Sequence, residues 1–225
     1  SRLLPEIKKP GRKLSLTERL VWTALVLVVY EAMGSIVLYG VDISPSAQAS
    51  PLLLNVIFAS QIGTLTTLGI GPIVTAGLIL QLLVGAELIR LDLTKPEDRA
   101  LFTSASKFLT IVIALFQAAA YVMAGYFGVL TPNAQVAVFM QLVAATIVVM
   151  LLDEMVQKGW GIGSGISLFI AAGVAGQIFS DLFSPITLQD GYFHGVILAI
   201  FQAIIGSRSL SEVFIRPDVG GGNIL

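Results

Sequence analysis

An apolar stretch that breaks in its middle constrains this chain more than any other feature. Residues 61–85 read QIGTLTTLGIGPIVTAGLILQLLVG, with Gly69, Ile70, Gly71 and Pro72 interrupting the run. Pro72 suits the first turn of a new helix, where its missing N–H is not needed. Ahead of the break, Thr64, Thr66 and Thr67 supply too many hydroxyls for a lipid-facing span, whereas Ile73 to Leu83 is almost wholly apolar. Irregular backbone at membrane depth survives only where protein or a water-filled cavity surrounds it. Discontinuous helices of this kind mark the conduction or binding route of channels and transporters. The expectation is a membrane protein that helps something cross.

Hydropathy gives five spans. The chain is 56% hydrophobic and only 12% charged, against roughly a quarter charged in soluble domains. A bilayer core needs about 20 apolar residues per helix, and the candidates are residues 20–38, 70–89, 108–130, 134–152 and 162–179. The first follows a long basic stretch with no small-residue cleavage site after it, so it reads as a retained span and not a signal peptide. Two apolar pieces, residues 52–59 and 196–205, are too short to cross. The first suits a re-entrant half-helix, the second an interfacial or external one.

Charge placement orients these spans. Cytoplasmic loops collect Lys and Arg. Arg2, Lys8, Lys9, Arg12, Lys13 and Arg19 precede the first span; Arg90, Lys95, Arg99 and Lys107 lie between the second and third; Lys158 lies between the fourth and fifth. The alternate loops, residues 39–50 and 131–133, hold neither, and only Arg208 and Arg216 in the tail break the pattern. The N-terminus is therefore expected in the cytoplasm, and the chain is expected to be a multi-pass protein of the cell membrane. Pro96, Glu97 and Asp98 suit a helix start within a solvated connection. The N-terminal cations fix orientation and can also meet anionic headgroups of the lipid bilayer.

A second glycine-rich entry, residues 159–166 (GWGIGSGI), opens the fifth span. It echoes the break: Ile70, Val74, Ala76, Gly77 and Gln81 match Ile166, Ile170, Ala172, Gly173 and Gln177 at one constant offset. In each helix the β-branched pair lies at i and i+4, on one face. Such pairs can form a stiff apolar constriction that gates by excluding water. From spacing alone, ordinary packing through small residues is the commoner explanation.

The blocks GIGPIVTAGLILQLLVG, DLTKPEDRALF, GVLTP and LLDEMVQKGWGIGSGISLFIAAGV resemble the SecY family of protein-conducting channels, most closely its archaeal and eukaryotic branch. The resemblance runs from about Leu14 to Ile178 and implies an all-α membrane fold. Five transmembrane helices and a re-entrant plug helix would make one half of a pseudo-symmetric ten-helix channel. The family's pore ring falls on Ile70, Val74, Ile166 and Ile170, the residues of the echo, which reverses the preference for plain packing. Its plug falls on Leu52, Leu53, Leu54, Asn55, Val56, Ile57, Phe58, Ala59, Ser60, Gln61 and Ile62, and its lateral gate on Thr75 and Gln117. The organisation this implies is a cytoplasmic segment over 1–19, the membrane half over 20–181 and an external hinge-side segment over 182–225, which fits the family poorly.

The implied function is the N-terminal half of the pore-forming subunit of a protein translocation channel, passing secretory polypeptides across the membrane and membrane proteins into it. Implied partners are the C-terminal half of the same channel, small SecE-like and beta/SecG-like subunits, the ribosome, signal sequences and nascent polypeptides, with no specific nucleic acid. The chain matches the first half only, so it is read as a fragment, a truncated form or one of two chains. No cofactor or metal is implied: the chain has no cysteine, and its single histidine is His194.

Two other functions share parts of this pattern. Half of an inverted-repeat secondary transporter would share the broken helix, but its site needs buried polar or ionisable groups near the midplane. Glu31 is the only charge well inside a span; at a cost of roughly 2.5–3.5 kcal/mol at the centre, it should face another helix or a polar cavity. An intramembrane serine protease would use Ser164, yet a nucleophilic serine needs a base within hydrogen-bond reach. His194 lies a full span of about 30 Å away, so Ser164 reads as a helix cap and the chain is not an enzyme.

Overall fold

The computed structural model describes residues 6–41, 63–128, 130–185 and 195–205, all helical or irregular apart from one isolated bridge. Helix α1 covers Leu16–Ser35 and starts at a capping box. The Glu18 N–H donates to Ser15 Oγ at 3.3 Å while the Ser15 N–H donates to Glu18 Oε2 at 2.9 Å, so each residue satisfies an otherwise orphaned donor of the other. Past α1 the chain extends and pairs Val37 with Thr64, held by Leu38 N–H to Gly63 O at 2.9 Å and Leu65 N–H to Ile36 O at 3.0 Å. This short bridge fixes the chain just ahead of the broken segment.

Three helices carry a proline at their start; the sequence marks two of these starts, Pro72 and Pro96, while Pro132 reads there as part of a loop. Helix α2 covers Gly71–Gly85 and carries Pro72 in its first turn. Helix α3 covers Pro96–Met123, with Glu97 and Asp98 in its first turn. It begins twelve residues before the apolar span, because a helix started by Pro96 runs through polar surroundings before its apolar section begins. Helix α4 covers Pro132–Met155 behind a Thr131 cap, and continues as a π-helical turn over Val156–Trp160 that ends in a kink at Gly159, φ +100°. Helix α5 covers Gly165–Phe183 and α6 covers Val196–Ile205.

Three helical segments, Pro96–Met123, Pro132–Trp160 and Gly165–Phe183, are long and apolar enough to cross a membrane. Helix α2 is shorter, at 15 residues, and α1 carries Glu18, Arg19 and Glu31 within 20 residues. The expected plug, residues 52–62, and His194 lie outside the described residues.

Two compact units divide the chain between residues 172 and 173, inside α5. In the first, α2 packs on α3, α3 on α4, and α1 on α4 and its π-helical turn. One apolar cluster joins Val26, Tyr30 and Met33 of α1 to Ile73 of α2 and Val149 of α4, with Phe169 of α5. A second joins Leu38 and Leu68 to Ala118, Val138 and Leu142. In the second unit, Gly195 N–H donates to Ser184 O at 2.9 Å and Ala199 N–H to Gly195 O at 2.9 Å, which sets the start of α6.

Many large apolar side chains point outward, among them Val21, Val28, Leu82, Phe108, Phe116 and Val136. Such a surface is ordinary for helices bathed in lipid tails, where association rests on packing and hydrogen bonds and not on the hydrophobic effect.

Candidate functional site

The broken segment is built on a knot of hydroxyls. Thr64, Thr66 and Thr67 are buried. Thr64 Oγ1 and Thr66 Oγ1 lie 3.0 Å apart, and Thr67 Oγ1 donates to the Thr64 carbonyl at 2.6 Å. The sequence reading that these hydroxyls avoid lipid holds. Gly69 then takes φ +51°, a left-handed conformation open to glycine without steric cost. The Ile70 carbonyl accepts from the N–H groups of Ile73 and Val74, both at 3.0 Å. Ile70 thus sits at the corner where α2 begins, with Val74 one turn along.

Ile166 and Ile170 occupy the corresponding turn of α5. The Ile166 N–H donates to Asp153 Oδ1 at 3.1 Å. Ser164 holds the cap position read for it, its carbonyl accepting from the Leu168 N–H at 3.1 Å; the side-chain acceptor seen at this start is Asp153, from the end of α4, thirteen residues upstream of Ile166. Behind the pair, Phe169 is fully buried and stacks on Tyr30 of α1, with ring centroids 4.3 Å apart.

All four echo residues come together. Ile70 belongs to the first apolar cluster, and Val74, Ile166 and Ile170 pack against it. Their exposure differs: Ile70 is 0% exposed, while the other three are half-buried. Four β-branched side chains from two helix starts therefore belong to or pack against one apolar cluster. These four side chains themselves carry neither charge nor hydrogen-bonding group, the chemistry of a constriction that excludes water. Thr75 and Gln117 are half-buried on α2 and α3, two helices that pack together, and among the described residues no hydrogen bond joins them.

Glu31 is exposed on α1, whereas its neighbours Tyr30 and Met33 are buried. The expectation is that it faces another helix or a polar cavity; among the described residues of this chain no helix covers it.

Sequence reasoning missed a polar clasp at the far end of α4. Lys107 Nζ and Lys158 Nζ both reach Glu154 Oε1, at 2.6 and 2.8 Å, and Lys158 also meets Glu6 at 2.7 Å. Trp160 Nε1 donates to the Lys8 carbonyl at 2.9 Å, its ring lies edge-on to Trp22 at 5.1 Å, and the Ile162 N–H donates to Thr23 Oγ1 at 3.0 Å. The N-terminal segment, α1, α3, α4 and the approach to α5 are thereby tied together. The legible signal was Glu154 and Lys158 at i, i+4; the long-range partner Lys107 was not.

Comparison with known proteins decides the family. The SecY family profile matches residues 64–214 of the chain. The chain belongs to the SecY family. It is similar to the protein translocase subunit SecY of Sulfolobus acidocaldarius, 42% identical over 219 residues, covering 96% of this chain and 47% of that protein. Among solved structures it is similar to a protein-conducting channel with TM-score 0.79 and 42% identity, covering 95% of this chain and 47% of the other. It is also similar to the Sec61 of the canine ribosome–channel complex from the endoplasmic reticulum, with the same TM-score of 0.79, 42% identity and the same 95% and 47% shares. The chain spans about half the length of the relatives it matches.

Proposed function

We propose that this chain forms the N-terminal half of a protein-conducting channel, and that Ile70, Val74, Ile166 and Ile170 form its share of an apolar pore constriction. The observation that carries the reading is their convergence: two glycine-rich helix starts, far apart in sequence, bring the same β-branched pair to one cluster. Supplied with the opposite wall, this apolar locus closes the passage to water and ions when idle and yields to an unfolded polypeptide. Ile70 is covered by the chain in this conformation, so passage requires its uncovering.

The remaining assignments follow from family membership. Residues 52–62 act as the plug, and α2 and α3 frame a lateral gate at Thr75 and Gln117, where signal sequences enter. The C-terminal half and small SecE-like and beta/SecG-like subunits complete the assembly. A relative seen within a ribosome–channel complex supports the ribosome as a partner. The Lys and Arg asymmetry supports a cytoplasmic N-terminus in the cell membrane.

The test is resting conductance in planar bilayers, with the chain assembled with its second half. Ile166→Ser and Ile170→Ser should hydrate the constriction and raise resting ion leak severalfold while polypeptide transport persists. Unchanged conductance would return these residues to ordinary helix packing.

A further inference from the structure

We infer that Asp153 is the positioning residue of the constriction, locking the register of α5 so that Ile166 and Ile170 meet Ile70 and Val74. The inference rests on the reading of these four residues as the constriction.

Four observations carry it. Asp153 is only 6% exposed and stands at the end of α4, where Oδ1 accepts the N–H of Ile166, itself a constriction residue. The second oxygen is occupied: Gln157 Nε2 donates to Oδ2 at 2.8 Å, which orients the carboxylate. The contact also demands glycine at the first residue of α5. A Cβ on Gly165 would lie 2.6 Å from Asp153 Cα and 2.7 Å from Oδ1, closer than side-chain carbons approach. Finally, Asp153 cannot drift to follow α5, because its neighbour Glu154 is held by Lys107 of α3 and by Lys158.

The consequence is geometric. The first N–H groups of a helix have no partner within it, and a buried one left unmade is costly. Without Asp153, the start of α5 must move until another acceptor is found. One residue of slip turns a helix by about 100° and shifts it by about 1.5 Å. Ile166 and Ile170, one turn apart on one face, would leave the constriction together. A cap drawn from within α5 would move with the helix; a cap supplied by α4 refers it to the rest of the bundle.

The experiment uses the chain assembled with its second half and the variants Asp153→Ala, Asp153→Ser, Asp153→Asn and Ile166→Ser. Two quantities are read: amide exchange across residues 162–168, and resting conductance. Ala, and Ser, which is too short to reach, should raise exchange by about tenfold or more, the size of a lost hydrogen bond to a charged group. Both should raise resting leak, and Asn, which still offers an oxygen to the Ile166 N–H, should restore both readouts. If Ala does not fold, Ser carries the test. Unchanged exchange in Ser would overturn the cap. Raised exchange without leak, while Ile166→Ser leaks, would overturn the positioning role and leave the constriction standing. Absence of leak in Ile166→Ser as well would overturn the constriction itself, and this inference with it. Leak in Asn equal to that in Ser would assign the effect to lost charge and overturn the inference.

Discussion

Replacing Glu154 by alanine removes the anion shared by two poorly exposed lysines. Lys107 and Lys158 lie 2.6 and 2.8 Å from the same oxygen, and the Glu154, Lys107 and Lys158 side chains keep only 7%, 12% and 18% of their exposure. A hydrogen bond to a charged group contributes about 1.5–3 kcal/mol, and two are lost. Lys158 retains Glu6 at 2.7 Å, whereas Lys107 has no second salt bridge among the described residues. Removing one partner of a buried ion pair costs about 3–5 kcal/mol. Both lysines keep some path to solvent, which places Glu154→Ala near the lower bound, about 3 kcal/mol. Lys107→Met in the same chain removes the stranded charge, and the double variant should be more stable than the sum of the single changes by about 1 kcal/mol or more. The assay is equilibrium unfolding in detergent micelles followed by tryptophan fluorescence, since Trp22 and Trp160 pack edge to face beside the clasp. A Glu154→Ala protein within about 0.5 kcal/mol of the parent would refute a structural role for the clasp, as would strict additivity with Lys107→Met.

The tether at the N-terminal segment should respond to acid. The hydrogen bond from Lys158 holds the Glu6 carboxyl below its ordinary value of 4.5, so its contribution is present above that value and is lost as pH falls through the depressed one. Trp160 fluorescence should therefore change with a midpoint below pH 4.5; Glu6→Gln should abolish that step, and a step unaltered by Glu6→Gln would refute the tether. The charge asymmetry predicts that cysteines placed at Asn133 and Lys95, in a chain with no cysteine of its own, label from opposite sides of the membrane; same-side labelling would overturn the five-span topology.

What was legible in the sequence is local chemistry. Pro72 and Pro96 each lead a helix as read, because a residue that lacks an N–H and fixes φ signals a helix start on its own; Pro132, read as part of a loop, leads one too. The short apolar piece 196–205 is a helix with those bounds. The four residues proposed as the constriction were marked by a repeat, since two similar helix starts leave matching patterns in the sequence, and all four belong to or pack against one apolar cluster. What stayed hidden depends on distance along the chain. Lys107 read as one more loop cation, because nothing near it announces Glu154 as its partner. Asp153, just beyond the fourth apolar span, drew no reading, because its acceptor role is defined by Ile166 across the kink. Exposure was equally unreadable: Ile70 and Val74 look alike in sequence, yet one is covered and the other half-open.

The central claim, that this chain supplies one wall of a protein-conducting passage, is tested most directly by translocation into vesicles. Purified chain is reconstituted with and without a separately expressed second half, and a signal-bearing polypeptide is scored for protection from external protease. The account predicts protection only when both halves are present, because two constriction pairs from one side leave the passage open opposite them. Efficient signal-dependent protection by the 225-residue chain alone, or no protection with both halves assembled, would contradict it.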